Sequence, residues 1–213
     1  MKTILFQGDS ITDCSRNREN PISMGVGYPL LVKSMLGYEN INEYEFYNRG
    51  ISGNRIVDVY ARIKSDIINI KPDYMSILIG VNDVWHEFGR HNGVDADKFY
   101  KIYCMLIEEI KEAVPNIKIM ILEPFCLREY ATENTEEDPN KWEIFNSEVK
   151  KRAEKAKEVA EKYNIPFISL QDDFNKASQN AANAYWLSDG VHPTPMGHEL
   201  IKRKWLAKFE EIK

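Results

Sequence analysis

Two stretches decide the fold: Met75-Ser76-Ile77-Leu78-Ile79 and Ile117-Lys118-Ile119-Met120-Ile121-Leu122. Both are short and nearly unbroken in apolarity. They lack the alternation of a strand that faces water on one side, so they read as strands of a parallel sheet covered on both faces. Working outward, Ile4 to Phe6, Glu45 to Tyr47 and Phe167 to Ser169 supply three further strands.

The segments between them have helical spacing. Phe99, Tyr103, Leu106, Ile110 and Val114 recur every three or four residues and define one apolar face, ended by Pro115. Phe145, Val149, Ala153, Ala156, Ala160 and Tyr163 repeat the pattern, and Ile56, Tyr60, Ile63 and Ile67 make another. Thr194 followed by Pro195 reads as the cap and first turn of a last helix running to about Ile212. Strand alternating with helix predicts an open, doubly wound α/β sheet, which binds ligands beyond the carboxyl ends of its strands. The long segment Pro124 to Asp138 is acidic and reads as a solvent-exposed connection.

Composition narrows the class of protein. A chain of 213 residues with 43% hydrophobic and 29% charged residues has enough apolar content to build a core as one domain, residues 1–213, without metal or disulfide staples. Its 28 basic and 33 acidic residues leave a net charge of −5, and the basic ones form no stripe, which argues against nucleic acid as a partner. Cys14, Cys104 and Cys126 are odd in number and lack CxxC spacing, so neither a disulfide framework nor a zinc site is expected. The apolar run Ile4 to Phe6 stops at Gln7 and Gly8, too short for a signal-peptide core, and no stretch is long enough to span a membrane. Cytoplasmic residence and no membrane partner are the expectations.

The loops after the strands carry the chemistry. The first strand runs into Gly8-Asp9-Ser10, placing a hydroxyl just past a strand end. A serine nucleophile needs a base, normally a histidine oriented by a carboxylate. Of the four histidines, only His192 lies in a suitable local pattern, Asp189-Gly190-Val191-His192-Pro193, where Pro193 and Pro195 oppose a helix and favour a tight loop. Acyl transfer also needs donors for the developing oxyanion. Gly53, in Gly50-Ile51-Ser52-Gly53-Asn54 after the second strand, and Asn82, in Gly80-Val81-Asn82-Asp83 after the third, are the candidates.

These four blocks, in this order, resemble the SGNH hydrolases, also called GDSL esterases, over nearly the whole chain. The resemblance implies a flavodoxin-like three-layer α/β/α sandwich with a five-stranded parallel sheet of order 2-1-3-4-5. It also implies Ser10 as nucleophile, His192 as base and then acid, and Asp189 as its orienter. The oxyanion hole would comprise the Ser10 and Gly53 N–H groups and the Asn82 amide. Many members carry leucine after the serine where this chain has Ile11. The longer phrases Gly-Asp-Ser-Ile-Thr-Asp-Cys and Ile-Gly-Val-Asn-Asp-Val-Trp look most like intracellular bacterial acetyl-xylooligosaccharide esterases.

Other classes fit less well. The nearest approach to an α/β-hydrolase elbow, Gly50-Ile51-Ser52-Gly53-Asn54, fails at its fifth position, and no dinucleotide fingerprint is present. Asp9 and Asp13 would repel a flavin phosphate in the first loop. Asp9, Asp13 and Asp83 together could suit Mg²⁺, or could simply accept backbone N–H bonds. No metal or cofactor is expected.

Trp85, Tyr185 and Trp186 flank the two halves of the site and could stack on a sugar ring or wall a small acyl pocket. The expected substrate is a small acyl ester, an acetylated xylooligosaccharide or related sugar, and the modest acidity fits a neutral one at least as well as a charged one. A lysophospholipase or thioesterase of the same family is the alternative, with a non-catalytic carbohydrate-binding protein the alternative from another class. Exposed aromatics and the acidic loop leave open a homo-oligomer contact or a cleft rim.

Overall fold

The computed structural model describes residues 1–213. Its chain order is β1 (Lys2–Gly8), α1 (Ser10–Asp13), α2 (Tyr28–Glu39), β2 (Tyr44–Asn48), α3 (Ile56–Ala61), β3 (Tyr74–Leu78) and α4 (Val81–Arg90). There follow α5 (Ala96–Ala113), β4 (Lys118–Leu122), α6 (Lys141–Lys162), β5 (Phe167–Ile168), α7 (Gln171–Ala177), α8 (Asn183–Trp186) and α9 (Pro195–Glu210). All five strands pair in parallel, in the order β2-β1-β3-β4-β5. The expected order and α/β class are both present.

Strand parity divides the apolar residues between two cores. Ile4, Phe6, Tyr74, Leu78, Met120 and Leu122 join the side chains of α2 and α9 on one face. Leu5, Met75, Ile77, Ile119 and Ile121 join α3 and α5 on the other. Because both faces are covered, every second residue has no reason to be polar, and the unbroken apolar runs follow. Helix α6 serves both cores: Phe145 and Val149 belong to the first, and Ala156, Val159 and Ala160 to the second.

Three local expectations are corrected. The helix over Ile56 to Ile67 is interrupted: α3 stops at Ala61 and a π-helical turn covers Lys64–Ile68. Val59 rather than Tyr60 fills the core, and the Tyr60 hydroxyl donates to Glu109 at the surface. The segment after β4 is not a wholly solvated connection, since Phe125, Cys126, Leu127 and Thr132 are buried. The residues after Gly80 begin helix α4 immediately rather than forming a loop.

Order reverses between β1 and β3, because the chain leaves β1 toward β2 and returns to the other side for β3. That reversal opens a crevice at the carboxyl ends of these strands, the usual binding position in such sheets. Phe6, fully buried, packs there between Trp205 at 5.3 Å and Tyr28 at 5.8 Å between ring centroids. Phe6→Ala is expected to lower the unfolding free energy by about 3–5 kcal/mol in urea titration, while Tyr38→Ala at an exposed site shifts it by no more than about 0.5 kcal/mol. Equal effects would contradict this packing.

Candidate active site

Ser10 is the first helical residue after β1. The Asp9 carboxylate caps the short α1 turn by accepting the Ile11 N–H at 3.0 Å, and Cys14 ends it in the left-handed region at φ 36°. The capped turn holds Ser10 at the crevice. Asp9 itself is buried and its second oxygen has no partner; burial pushes its pKa up to about 7.

His192 arrives from the opposite end of the chain on a loop closed by the Leu187–Pro193 bridge and by Ser188 N–H donating to His192 O at 2.9 Å. Asp189 organises this loop. Its Oδ1 accepts the N–H groups of Val191 and His192 at 2.9 and 2.7 Å, and its Oδ2 accepts from His192 Nδ1 at 2.6 Å. With Nδ1 donating, Nε2 is left as an acceptor, and Ser10 Oγ lies 2.9 Å from it. The bond to Asp189 raises the His192 pKa above the ordinary 6.5, outweighing burial. Burial acts to raise Asp189, but His192 and the two backbone donors outweigh it and hold the carboxyl below its usual range.

The segment after β4 supports this loop. Leu127 N–H donates to Gly190 O at 2.8 Å and Ala131 N–H to Asp189 O at 3.2 Å. Gly190 has φ +96°, and a Cβ there would meet Leu127 O and Thr132 Oγ1 at 2.6 Å, so glycine is required twice over. Nothing in the spacing of Leu127 and Thr132 points to this role. The contact is non-local, and the acidic composition of the segment points to solvent instead.

Two hydrogen bonds bring the oxyanion candidates together. Asn82 Nδ2 donates to Asn54 O at 3.1 Å, and the buried Asp83 accepts Ile56 N–H through both oxygens at 3.1 and 3.2 Å. The loop after β2 is thereby tied to the start of α4. Gly53 adopts φ +81° within that loop, and its N–H makes no backbone hydrogen bond. The Gly53 loop and the first turn of α4, which carries Asn82, are thus neighbours, both following strands that flank β1.

A cavity of about 580 Å³ opens over Ser10. Ser10 and His192 form one part of its wall, and Asp13, Arg16, Arg18 and Ser52 form much of the rest. Trp85 stands beside His192, ring centroids 5.8 Å apart, and packs edge-on against Phe145. Tyr185 and Trp186 do not line this cavity. Trp186 lines a separate groove with Met196 and Leu200, while the carbonyls of both residues accept from Thr194 and so pin the chain just after His192.

The remaining candidates are held apart. Asp13 accepts Ser52 N–H at 3.0 Å and pairs with Arg18 at 2.7 Å, so Asp9, Asp13 and Asp83 each serve different backbone donors. No three His, Cys, Asp or Glu side chains converge as a metal site. His198 accepts Tyr28 N–H through Nδ1 at 3.1 Å and donates through Nε2 to Cys14 Sγ at 3.3 Å, and burial lowers its pKa to about 4. It is a neutral, structural histidine.

Residues 6–200 match the GDSL-like lipase/acylhydrolase family. The chain belongs to that family. It is 33% identical to an acetylxylan esterase of Geobacillus stearothermophilus, spanning 97% of this chain and 93% of the relative. The solved structure of that esterase, Axe2, superimposes with a TM-score of 0.82 at 32% identity, over 97% of this chain and 93% of that one. A Parabacteroides merdae protein described as a GDSL-like lipase superimposes with a TM-score of 0.90 at 33% identity, covering 98% of this chain and 95% of the other. LAE5, a hydrolase from the Lake Arreo metagenome, gives 0.86 at 25% identity over 100% of this chain and 96% of its own. The chain is therefore a carboxylic ester hydrolase. No helix is long and apolar enough to cross a membrane.

The perturbed histidine sets a pH expectation for the esterase. A protonated His192 cannot accept the serine proton, so kcat/KM should fall with decreasing pH through a midpoint above 6.5, and Asp189→Asn should move that midpoint down. A profile flat from about pH 5 to 8 in a chemistry-limited assay would contradict it.

Proposed function

We propose that this esterase removes acetyl groups from acetylated sugars, xylooligosaccharides in particular, through an acyl-serine intermediate. The observation that carries the reading is the unbroken run of hydrogen bonds from Asp189 through His192 to Ser10, at 2.6 and 2.9 Å, opening into a polar-walled cavity.

In this reading Ser10 Oγ attacks the ester carbonyl as His192 Nε2 takes its proton, and Asp189 stabilises the imidazolium by accepting from Nδ1. The carbonyl oxygen becomes an oxyanion received by the Ser10 and Gly53 N–H groups and by Asn82 Nδ2, each donor contributing on the order of a hundred- to a thousandfold in rate. The tetrahedral intermediate collapses, the C–O bond to the alcohol breaks, and His192 returns the proton to the departing sugar oxygen. A water molecule, deprotonated by His192, then attacks the acetyl-serine; the acyl C–Oγ bond breaks, His192 returns the proton to Ser10 Oγ, and acetate leaves. No step requires a metal or cofactor.

Substrate class follows from the walls. The cavity beside Ser10 is walled by Asp13, Arg16, Arg18 and Ser52, polar groups that an apolar chain would strip of water and that the hydroxyls of a sugar can hydrogen-bond. The similarity to an acetylxylan esterase supports the same choice. Trp85 offers a flat face beside His192 for a sugar ring.

Two measurements test the reading. Ser10→Ala should lower kcat on p-nitrophenyl acetate by at least about a thousandfold. Across p-nitrophenyl esters, kcat/KM should fall from acetate to octanoate. Higher kcat/KM on octanoate, or on lysophospholipid or thioester substrates, would replace the deacetylase with a lysophospholipase or thioesterase. An undiminished Ser10→Ala variant would remove the mechanism altogether.

A further inference from the structure

Arg16 uses one nitrogen of its guanidinium and leaves two. Its Nε donates to Gly50 O at 2.7 Å, and the half-buried side chain lines the cavity that contains Ser10 and His192. The neighbouring acid is committed elsewhere. Asp13 Oδ2 accepts from Arg18 at 2.7 Å and from Ser52 N–H at 3.0 Å, and its Oδ1 accepts the backbone N–H of Arg16 at 3.2 Å. Burial first, and then Arg49 and Arg18, hold the Arg16 guanidinium below its ordinary pKa against the pull of Asp13.

A cation that is partly desolvated without a counter-ion keeps a penalty that only an anion can offset. The anchoring of Nε to Gly50 orients the plane of the guanidinium, so its two terminal nitrogens present parallel donors suited to a carboxylate. Arg16, Arg18 and Arg49 against Asp13 and Asp66 leave one net positive charge, which matches a monoanion. A phosphate dianion would bring a second negative charge close to Asp13.

We propose that Arg16, flanked by Arg18, forms a subsite for a carboxylate carried by the alcohol half of the ester, such as a uronate next to the acetylated hydroxyl. The anion belongs on that half because an acetyl group has none to offer. The inference rests on the deacetylase reading and narrows its substrate: the net acidity of the chain fits a neutral sugar at least as well as a charged one, whereas the local charge beside Ser10 favours an acidic one.

The test is internal competition between neutral and uronate-bearing acetylated xylooligosaccharides in one vessel, with acetyl loss resolved by mass. The wild-type enzyme should consume the uronate-bearing species with kcat/KM higher by about tenfold, and Arg16→Gln should abolish that preference. In case the variant fails to fold, raising NaCl from about 0.05 to 0.5 M should shrink the wild-type preference, since the interaction is ionic. Equal consumption, a preference that survives in folded Arg16→Gln, or one insensitive to salt would overturn the subsite. A larger preference for an acetylated sugar monophosphate would overturn its assignment to a carboxylate. Loss of acetyl from no sugar at all, with p-nitrophenyl acetate untouched, would instead be the failure of the deacetylase reading.

Discussion

The 2.9 Å hydrogen bond between Ser10 Oγ and His192 Nε2 joins residues 182 positions apart, and most of the architecture serves to make that contact. The serine stands at the carboxyl end of a central strand because β1 lies between β2 and β3. The histidine reaches it because α9, which begins three residues later, packs across the same face as α2 and anchors the preceding loop there. The two buried clusters fix the strands and helices against each other. Side chains at a reacting centre need placement to a fraction of an ångström, and here the core supplies it.

Much of this organisation was legible in the sequence. The isoleucine-rich runs of β3 and β4 are nearly continuous because both faces of the sheet are covered, and the Asp189 to His192 spacing is short enough for a local loop to build it. Features that were not legible have identifiable causes. Helix α2 is apolar on several sides, with Tyr28, Val32 and Leu36 buried but Leu30, Met35 and Tyr38 exposed, so its 3.6-residue period is blurred. The π-helical turn shifts the inward face of the segment after α3, a change no periodicity of side chains announces. Tyr185 and Trp186 also hold the chain through backbone carbonyls that accept from Thr194, and such contacts carry no residue signature.

The segment after β4 illustrates how an apparently dispensable stretch becomes part of a site. Its composition is acidic, but Phe125, Leu127 and Thr132 are buried, and its backbone meets Asp189 and Gly190 directly. The carboxylate is thus held by its own loop through Val191 and His192, and the backbone of that loop is held from behind by a second one. A histidine whose tautomer depends on one carboxylate benefits from that rigidity, since rotation of Asp189 would remove the acceptor from Nδ1. The same economy is visible at the other side, where Asn82 and Asp83 at the start of α4 tie down the loop that carries Gly53.

The central claim is that Ser10 carries the acyl group between the ester and water. Acid-quenching the enzyme within the first turnovers of p-nitrophenyl acetate and mapping the adduct by peptide mass measures this directly. The account predicts a gain of about 42 Da, one acetyl group, on the peptide containing Ser10, formed in step with the first release of p-nitrophenol. An acetyl group that tracks turnover on Cys14 or any other residue, with Ser10 unmodified, would contradict it.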